Sequence, residues 1–373
     1  MRILFFPHEQ YLPFEYEAGN FEIRLPVLNC GLISETETFV YQRVLRSHGR
    51  EEMNKRAWNI AKKFQPDAVI HYRTWPFPVD ENLDHSLIHT IDKEIAPVLS
   101  VAFDSYTTIH QFEMEALVAP SYFAMLTSIH DFIRFKRLEK IINYETKVTS
   151  LIGHNVLTEL FKPINYEEKI YDVSFLGSIY GHREEWLNNL QRELNKKNIK
   201  LFVAGGNFNT KLDHQLGFRG VDWLPYNEYV DVIRKSKICL NLPSIADHIS
   251  QIKGRLFEII SCNTLCFNMK DVSNEGFLPD EGIVYYNNFE DCLKKIIYYL
   301  DNDSKIKKEA LSGHNWYLEK FDYKLFWCNL LESMVSRSKV TLPQPFEYVI
   351  NKYLENEDLK DLTKLSNEIK IKI

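Results

Sequence analysis

The chain contains the stretch K-G-R-L-F-E-I-I-S-C-N-T-L-C, from Lys253 to Cys266, around which the rest of the sequence can be interpreted. An apolar run at Ile238–Leu242 precedes it and predicts a buried strand, followed by a polar loop from Pro243 to Ile252. Apolar residues between Leu256 and Ile260 predict a short buried helix, and Leu265–Met269 predicts a second strand. The order strand, loop, helix, strand is typical of a parallel α/β sheet.

Charged residues cluster where this loop becomes the helix, at Lys253, Arg255 and Glu258. Ligands of open α/β sheets bind at the carboxyl ends of strands, near helix N-termini. Paired cations there suit a diphosphate, and a carboxylate one turn later suits a ribose diol because it accepts hydrogen bonds from both hydroxyls. The alternative is an ordinary helix start, with solvated charges and Glu258 paired to Arg255.

The composition indicates a globular protein of ordinary charge. The chain has 373 residues, enough for two domains, with 45% hydrophobic and 26% charged residues. The net charge of −6 argues against a general nucleic-acid binder, although it leaves a local basic patch open. No CxxC pair is present, so buried free thiols are expected and a zinc site is not. The cysteines are Cys30, Cys239, Cys262, Cys266, Cys292 and Cys328.

The termini and the apolar runs predict a cytoplasmic protein. Arg2 is followed only by the short apolar run Ile3–Phe6, which Pro7 ends, so no signal peptide is expected. No apolar segment reaches the ~20 residues that span a bilayer. The basic, apolar segment Phe132–Lys140 predicts a core helix with a solvated face; the alternative is peripheral contact with an anionic membrane surface.

The first half of the chain predicts a parallel, doubly wound sheet, because strands and helices alternate along it. Pro7 to Leu32 is expected to be a long irregular loop with a function. The predicted strands are Arg2–Phe6, Ala68–His71, Ala96–Phe103, Tyr122–Thr127 and Lys147–Ile152, and the predicted helices include Glu35–His48, Glu51–Phe64, Leu83–Glu94 and a short one at Phe112–Val118.

The second half shows the same alternation of strands and helices after a linker. We expect an amino-terminal domain at 1–153, a linker at 154–171, a carboxyl-terminal domain at 172–322, and a crossover helix with a tail at 323–373. Such halves would place their strand ends face to face across a cleft. The predicted strands are Asp172–Gly177, Ile199–Ala204, Gly217–Trp223 and Ile283–Tyr286, and the predicted helices are Glu184–Lys196, Glu228–Ser236 with Asn227 as its cap, Phe289–Leu300 and further helices from Lys305 to about Val335.

A turn at Gly177-Ser178 follows a predicted strand and precedes a predicted helix. Backbone N–H groups at such a turn can bind a phosphate. The turn should lie at the same sheet edge as Lys253 and Glu258. The sequence has no Walker lysine motif and no G-x-G-x-x-G after its first strand, which disfavours nucleotide hydrolysis and NAD chemistry.

Several motifs resemble one family. D-V-S-F-L-G-S-I-Y-G-H-R-E-E-W-L, V-D-V-I-R-K-S-K-I-C-L-N-L and K-G-R-L-F-E-I-I-S-C-N-T-L look like the carboxyl-terminal domain of CgeB-like glycosyltransferases of the GT-B fold. The resemblance covers roughly Asp172 to Val335. It implies two Rossmann-like domains, of which the carboxyl-terminal one binds a nucleoside-diphosphate sugar and the amino-terminal one binds the acceptor.

The resemblance also implies roles for individual residues. Glu258 matches the carboxylate that holds the nucleotide ribose, and Arg255 and Lys253 would neutralise the diphosphate leaving group. The residues implied to approach the phosphates are Gly177 and Ser178 with Arg183 nearby, and those implied to border the base are Leu224 and Tyr226.

The chain departs from the family at two positions. Related retaining enzymes carry two Glu seven residues apart, and the first of these positions is Ser250 here, which leaves the donor-sugar contact and the stereochemistry open. Asn263 replaces a Gly after the helix. An inverting reaction would need a base in the amino-terminal half, for which Asp104 is the first candidate, followed by His8 and His71.

The leading hypothesis is a metal-independent glycosyltransferase that needs no cofactor. Its donor would be a UDP, GDP or dTDP sugar, and its acceptor a glycan, a lipid-linked glycan, a protein or a small molecule, with no nucleic acid involved. The alternatives are a sugar-nucleotide epimerase or phosphorylase on the same fold and a non-catalytic nucleotide-sugar-binding protein. The sequence leaves the oligomeric state open.

Overall fold

The computed structural model describes most of the chain. The described residues are 1–7, 20–73, 81–102, 120–125, 147–179, 182–205, 224–242, 245–246, 249–250, 252–270 and 277–340. They divide into two compact units: unit 1 comprises 1–155, 246–251 and 321–373, and unit 2 comprises 156–245 and 252–320. The predicted helices at Phe112–Val118 and Phe132–Lys140 and the predicted strand at Gly217–Trp223 lie outside the described residues.

Unit 1 contains a six-stranded parallel sheet in the order β2-β1-β3-β4-β5-β6. Its central strands β3 and β4 are buried along their whole length, as expected for strands that are covered on both faces. The strands are β1 Arg2–Phe6, β2 Glu35–Thr38, β3 Ala68–Arg73, β4 Val98–Ala102, β5 Tyr122–Met125 and β6 Lys147–Ser150. The helices are α1 Leu25–Leu28, α2 Tyr41–His48, α3 Arg50–Phe64 and α4 His85–Glu94.

The predicted helix at Glu35–His48 is wrong in its first part. Glu35–Thr38 forms an edge strand paired with β1, and the helix begins only at Tyr41. The residues of β2 alternate between exposed and half-exposed, so hydrogen bonds to β1 rather than apolar burial hold this strand. An ion pair between Arg2 Nε and Glu35 Oε2, at 2.9 Å, joins the two strands side by side.

The predicted loop at Pro7–Leu32 is also partly wrong. Residues Asn20–Arg24 form a π-helical turn that continues into α1, with Pro26 in its first turn. Proline is tolerated there because the N–H groups of a first helical turn lack intrahelical partners. Ile23 and Val27 are fully buried, so this segment contributes to the core of unit 1.

Unit 2 contains a five-stranded parallel sheet in the order β13-β12-β9-β7-β8. Its strands are β7 Tyr171–Leu176, β8 Leu201–Ala204, β9 Ser236–Asn241, β12 Leu265–Met269 and β13 Ile283–Tyr286. Its helices are α5 His182–Asn195, α6 Tyr226–Arg234, α7 Gly254–Ser261, α8 Phe289–Leu300 and α9 Asp303–Lys320. Two short strands, β10 Ile245–Ala246 and β11 Ile249–Ser250, form a separate two-stranded sheet within the predicted polar loop.

Both sheets share one connectivity. Numbered within its own unit, each sheet has the order 2-1-3-4-5, with a sixth strand added in unit 1. The strand order reverses between the first and third strands of each unit, which is the doubly wound arrangement that the sequence predicts. In such sheets ligands bind outside the carboxyl ends of the strands at this switch point. In unit 2 the switch point lies between β7 and β9.

The two faces of the unit 2 sheet differ in polarity. One face packs against α5 and α8 in an apolar core that includes Phe175, Leu190 and Ile296. The other carries buried polar contacts: the Ser236 hydroxyl donates to Ser174 Oγ at 2.7 Å, and the Lys169 ammonium donates to Thr264 Oγ1 at 2.9 Å. Since buried polar groups need partners, these contacts fix how the segments on this face pack.

A final helix, α10 Tyr323–Val335, belongs to unit 1. Helix α9 ends just before Phe321. Asp322 then caps α10 by accepting a hydrogen bond from the Leu325 amide at 3.0 Å. The hydroxyl of Tyr122 in β5 donates to the Ser333 carbonyl at 2.6 Å. The helix is therefore tied to the unit 1 sheet. Among the described residues, no helix combines the length and the apolar character that crossing a bilayer requires.

Candidate functional site

The guanidinium of Arg255 lies over the end of β7. Its Cζ is 5.3 Å from the centroid of the Phe175 ring, the last but one residue of that strand. Gly177 follows the strand with φ +139°, and a Cβ placed on it would lie 2.5 Å from Arg255 Cζ. A side chain at position 177 would therefore occupy the space of the guanidinium. Gly177 therefore leaves room for Arg255, and its φ of +139° is one that other residues rarely adopt.

The turn at Gly177 is also packed tightly against the end of β8. The amide of Gly177 donates to the Ala204 carbonyl at 2.8 Å. Gly205, at φ +115°, approaches so closely that a Cβ on it would lie 2.6 Å from the carbonyl carbon of Gly177. The prediction that the Gly177 N–H binds a phosphate is wrong for this amide, because Ala204 already accepts its hydrogen bond. The contribution of Gly177 is the absence of a side chain.

The guanidinium of Arg255 has hydrogen-bond donors available for a ligand. Its Nε and Nη1 are buried and have no hydrogen-bond partner in the part of the chain that the structure describes. Buried donors of a charged group without partners are costly, and native proteins keep few of them. Arg255 and Glu258 form no ion pair within the described structure. The alternative of a solvated surface pair is therefore wrong, and an anionic ligand would supply the missing acceptors.

Glu258 is a buried carboxylate on α7, with only 8% of its surface exposed. The hydroxyl of Tyr229 on α6 donates a hydrogen bond to its Oε2. Burial raises the pKa of Glu258, while the Tyr229 hydrogen bond and the charge of Arg255 act in the opposite direction. One carboxylate oxygen thus has a protein partner, and the other remains for a ligand with hydroxyl groups.

Tyr229, which binds this carboxylate, belongs to a cluster of three aromatic rings. The rings of Tyr226 and Tyr229, one turn apart on α6, are stacked with centroids 5.9 Å apart and planes 19° apart. Phe161 meets both edge-on, at 6.0 Å from Tyr226 and 6.5 Å from Tyr229. Edge-to-face and offset contacts of this kind are favourable for aromatic pairs. The rings fix α6 against the segment that enters unit 2 and orient Tyr229 toward Glu258.

Arg183 joins two loops at the switch point. Its Nη1 donates to the Ser178 carbonyl at 2.9 Å, and its Nη2 donates to the Leu242 carbonyl at 2.7 Å. The residue is only 2% exposed. Arg183 therefore holds the turn after β7 against the end of β9. Its predicted contact with phosphates stays a prediction.

Two buried asparagines end neighbouring strands. Asn241 of β9 and Asn268 of β12 are aligned in register, and the Asn241 amide nitrogen donates to Asn268 Oδ1 at 2.8 Å. They are 1% and 3% exposed, respectively. This contact joins the carboxyl ends of β9 and β12, the edge from which α7 begins.

The remaining predicted binding residues are less constrained. Lys253 is half-buried and precedes α7 in extended conformation, and Ser178 and Leu224 are half-buried as well. Ser250 lies in β11. The predicted cap Asn227 is wrong: α6 begins at Tyr226, two residues before the predicted start at Glu228, and follows Pro225, whose carbonyl accepts from the Tyr229 amide at 2.9 Å.

The structure says less about the candidate catalytic bases than about the predicted binding residues. Asp104 and His8 lie outside the described residues. His71, the fourth of the six residues of β3 in unit 1, is 2% exposed, and its ring centroid lies 5.7 Å from that of Tyr41. His71 is therefore buried inside unit 1.

The cysteines are unpaired, as the sequence predicts. All six cysteines are free, and Cys239, Cys262, Cys266 and Cys292 are fully buried. Burial raises the pKa of Cys239 to about 11. In the described part of the chain, no three His, Cys, Asp or Glu side chains are grouped as a metal site requires. The predicted metal independence stays a prediction.

Solved structures share this architecture. HepE from Anabaena, solved with UDP and glucose, aligns with a TM-score of 0.63 at 12% identity over 90% of this chain and 100% of its own. The fold is GT-B. Sucrose-phosphate synthase from Thermosynechococcus elongatus aligns at 0.61 with 9% identity, over 91% of this chain and all of its own. An α-glucosyltransferase solved with UDP and a 13-mer DNA aligns at 0.57 with 10% identity over 90% of this chain and 99% of its own.

A sequence profile matches part of the GT-B chain. The profile of the family described as glycosyl transferase-like matches residues 183–332. This range contains Arg183, Tyr229, Arg255 and Glu258 and begins after Gly177. No curated protein sequence matches the chain significantly. The assignment to the CgeB-like subfamily stays a prediction.

Sequence reasoning missed Tyr229 and Phe161. The only signal for Tyr229 was its spacing of three residues from Tyr226, which places two aromatic rings on one helix face. That spacing does not show which neighbour the face meets. Phe161 lies in the predicted linker, where nothing in the sequence distinguishes it from other apolar residues.

Proposed function

We propose that this protein is a glycosyltransferase that moves a sugar from a nucleoside-diphosphate sugar to an acceptor. The observation that carries the proposal is Arg255. Its buried, unpartnered donors lie over Gly177 at the carboxyl edge of a parallel sheet, one turn before the buried carboxylate of Glu258. The profile match and the GT-B neighbours with UDP support the same conclusion.

The proposed chemistry follows from these groups. In this proposal Glu258 accepts hydrogen bonds from the ribose hydroxyls, and Arg255 binds the diphosphate with help from Lys253. Negative charge grows on the diphosphate as the glycosidic bond breaks, so donors already in place stabilise the transition state more than the ground state. We propose further that unit 2 binds the donor, that the amino-terminal half binds the acceptor, and that no metal ion is required.

The acceptor is the least constrained part of the proposal. One structural neighbour was solved with DNA. The net charge of −6 does not favour a surface for DNA phosphates, so we propose a glycan, a lipid-linked glycan, a protein or a small molecule as acceptor. Transfer of labelled sugar to DNA would contradict this part alone.

Release of free nucleotide tests the proposal. The purified protein is incubated with UDP-, GDP- and dTDP-sugars, with EDTA or with Mg²⁺, and the nucleoside diphosphate formed is measured with and without candidate acceptors. We expect release from one donor class, undiminished by EDTA, and a loss of ~10²-fold or more in Arg255→Ala. The surface variant Arg192→Ala is the matched control. Conversion of the sugar without release of nucleotide would indicate an epimerase, and binding without turnover a non-catalytic protein.

A further inference from the structure

We infer that Tyr229 is a positioning residue of the nucleotide site, whose hydroxyl holds Glu258 ready for the ribose diol. This inference rests on the proposed function, because it assigns a partner to the carboxylate that the proposal places on the ribose. The geometry consists of a hydrogen bond between two helices: Tyr229 lies on α6 and Glu258 on α7, and the phenol donates to Oε2.

The hydrogen bond occupies one side of the carboxylate. Glu258 is 8% exposed, so no bulk solvent is available to orient it. A carboxylate accepts through two oxygens, and with Oε2 held by Tyr229 its Oε1 and the second lone pair of Oε2 remain. Cis hydroxyls on neighbouring carbons match these acceptors. A freely rotating Glu258 would have to be ordered each time a nucleotide binds, at an entropic cost.

The position of Tyr229 is itself fixed by its ring. Tyr226 stacks on it at 5.9 Å, and Phe161 meets its edge at 6.5 Å. Removing the hydroxyl as Tyr229→Phe keeps these ring contacts, so this substitution isolates the hydrogen bond. The hydroxyl stays protonated, and so remains a donor, throughout the ordinary pH range, because burial and the neighbouring Glu258 raise the pKa of Tyr229 well above its usual value.

The pH dependence of nucleotide binding in the acid range depends on the ionisation of Glu258. The groups that act on it electrostatically are Tyr229 from α6, Cys239 from β9, Arg255 from its own helix and Cys262, which follows that helix. Burial raises the pKa of both thiols, so they stay neutral below pH 8. The neighbouring helix α9 adds His314, which faces the Ile260 carbonyl and whose pKa is lowered by burial. His314 is present in every variant and cancels in a comparison.

Loss of the phenol should therefore shift a pH profile. The Tyr229 hydrogen bond lowers the pKa of Glu258, and without it the carboxyl becomes protonated at higher pH. A protonated carboxyl has lost an acceptor for the ribose hydroxyls. We expect nucleotide affinity to fall off at higher pH in Tyr229→Phe than in the wild type.

Calorimetry with ribose analogues tests the inference. UDP, GDP and their 2′,3′-dideoxy forms are titrated into the wild type, Tyr229→Phe and the control Tyr171→Phe, whose ring lies 4.8 Å from Phe202 in the same unit. We expect Tyr229→Phe to weaken the preferred ribonucleotide roughly 10-fold and the dideoxy form by less than about 2-fold. Tyr171→Phe should bind both like the wild type.

The same substitution in a Glu258→Gln variant serves as a second test. In Glu258→Gln the acceptor for Tyr229 remains but the charge does not, so adding Tyr229→Phe should leave the pH profile of nucleotide binding unchanged. Equal losses for ribo- and dideoxynucleotides, or a wild-type pH profile in Tyr229→Phe, would overturn the inference while leaving the donor site in place. Failure of the wild type to bind UDP, GDP or dTDP, which is titrated alongside them, would instead overturn the proposed function. Binding of dTDP alone, which lacks a 2′-hydroxyl, would overturn the inference.

Discussion

The guanidinium of Arg255 lies where a side chain of Gly177 would be: a Cβ on Gly177 would lie 2.5 Å from the guanidinium carbon. The two residues come from different elements, the end of β7 and the first turn of α7. The absence of a side chain at position 177 thus leaves room for the positive charge of Arg255 at this place. This relationship places a cation at the switch point of the unit 2 sheet, where α/β proteins bind ligands.

Gly177→Ala should therefore impair nucleotide binding beyond its effect on stability. At φ +139° an alanine is strained by roughly 1–3 kcal/mol, and its methyl group displaces Arg255. We expect a roughly 10-fold or larger loss of affinity for a nucleoside diphosphate, because a hydrogen bond to a charged group is removed. Gly31→Ala is the matched control, since Gly31 has φ +94° with open space around it. If both variants lose stability but bind nucleotide equally well, the displacement of Arg255 is unimportant.

Glu258→Gln and Arg255→Ala should differ in their kinetics. The ribose contact of Glu258 exists in both ground and transition states, so its loss should raise KM with little change in kcat. Arg255 faces charge that grows during the reaction, and its loss should lower kcat by ~10²-fold or more. Steady-state kinetics on the folded variants checks this. Wild-type turnover and donor affinity in both would show that the cluster is structural.

Glu258→Gln should also stabilise the protein without ligand at neutral pH. Burial raises the folded-state pKa of Glu258 above its unfolded value, so ionising it costs stability as pH rises through that range. The amide avoids this cost and still accepts from Tyr229. Each kcal/mol gained should raise Tm by about 2–4 °C.

Thermal unfolding at two pH values measures this effect. The Tm difference between Glu258→Gln and the wild type should be positive at pH 7.5 and shrink toward pH 4. The surface control Glu193→Gln, which loses an exposed pair with Lys196, should change stability by less than about 1 kcal/mol. A lower Tm for Glu258→Gln at pH 7.5 would contradict the cost assigned to the buried charge.

His154 should make unit 1 sensitive to acid. Its ring is stacked on Phe326 at 4.3 Å, and burial lowers its pKa to about 3. The unfolded histidine takes up a proton below about pH 6.5, while the folded one stays neutral, so stability falls as pH falls through this window. Between pH 6.5 and pH 5 this amounts to about 2 kcal/mol.

Urea unfolding of His154→Gln checks that pH dependence. The free-energy difference between the wild type and this variant should shrink by about 2 kcal/mol between pH 7.5 and pH 5. Other titrating groups contribute equally to both proteins. A difference that stays constant with pH would show that His154 is protonated in the folded state or that its environment is exposed.

The sequence predicts much of the fold because the strands of buried parallel sheets are apolar runs. The bounds of Leu265–Met269, Ile283–Tyr286 and Phe289–Leu300 are as predicted. Apolar residues define the two strands, and the Asn288 side chain caps the helix. The strand Glu35–Thr38 was missed because its side chains are polar and its stability comes from pairing with β1. Edge strands of this kind leave little signal in the hydrophobic pattern.

The site is predictable only where its residues are close in sequence. Arg255 and Glu258 share one helix turn, so their spacing indicates a common site. The roles of Gly177 and Tyr229 depend on side chains from other elements, and local sequence does not report such contacts. Asn263 illustrates the intermediate case: it adopts φ +51° after α7, the left-handed conformation that asparagine tolerates and that glycine adopts most readily.

The measurement that tests the donor site most directly is calorimetric titration of UDP, GDP and dTDP into the wild type and Arg255→Ala, with Arg192→Ala as the control. One nucleotide should bind the wild type and the control at one site per chain, and Arg255→Ala should weaken it by roughly 10–100-fold. If none of the three nucleotides binds the wild type, or if Arg255→Ala binds with unchanged affinity, Arg255 is not the diphosphate-binding residue of this protein.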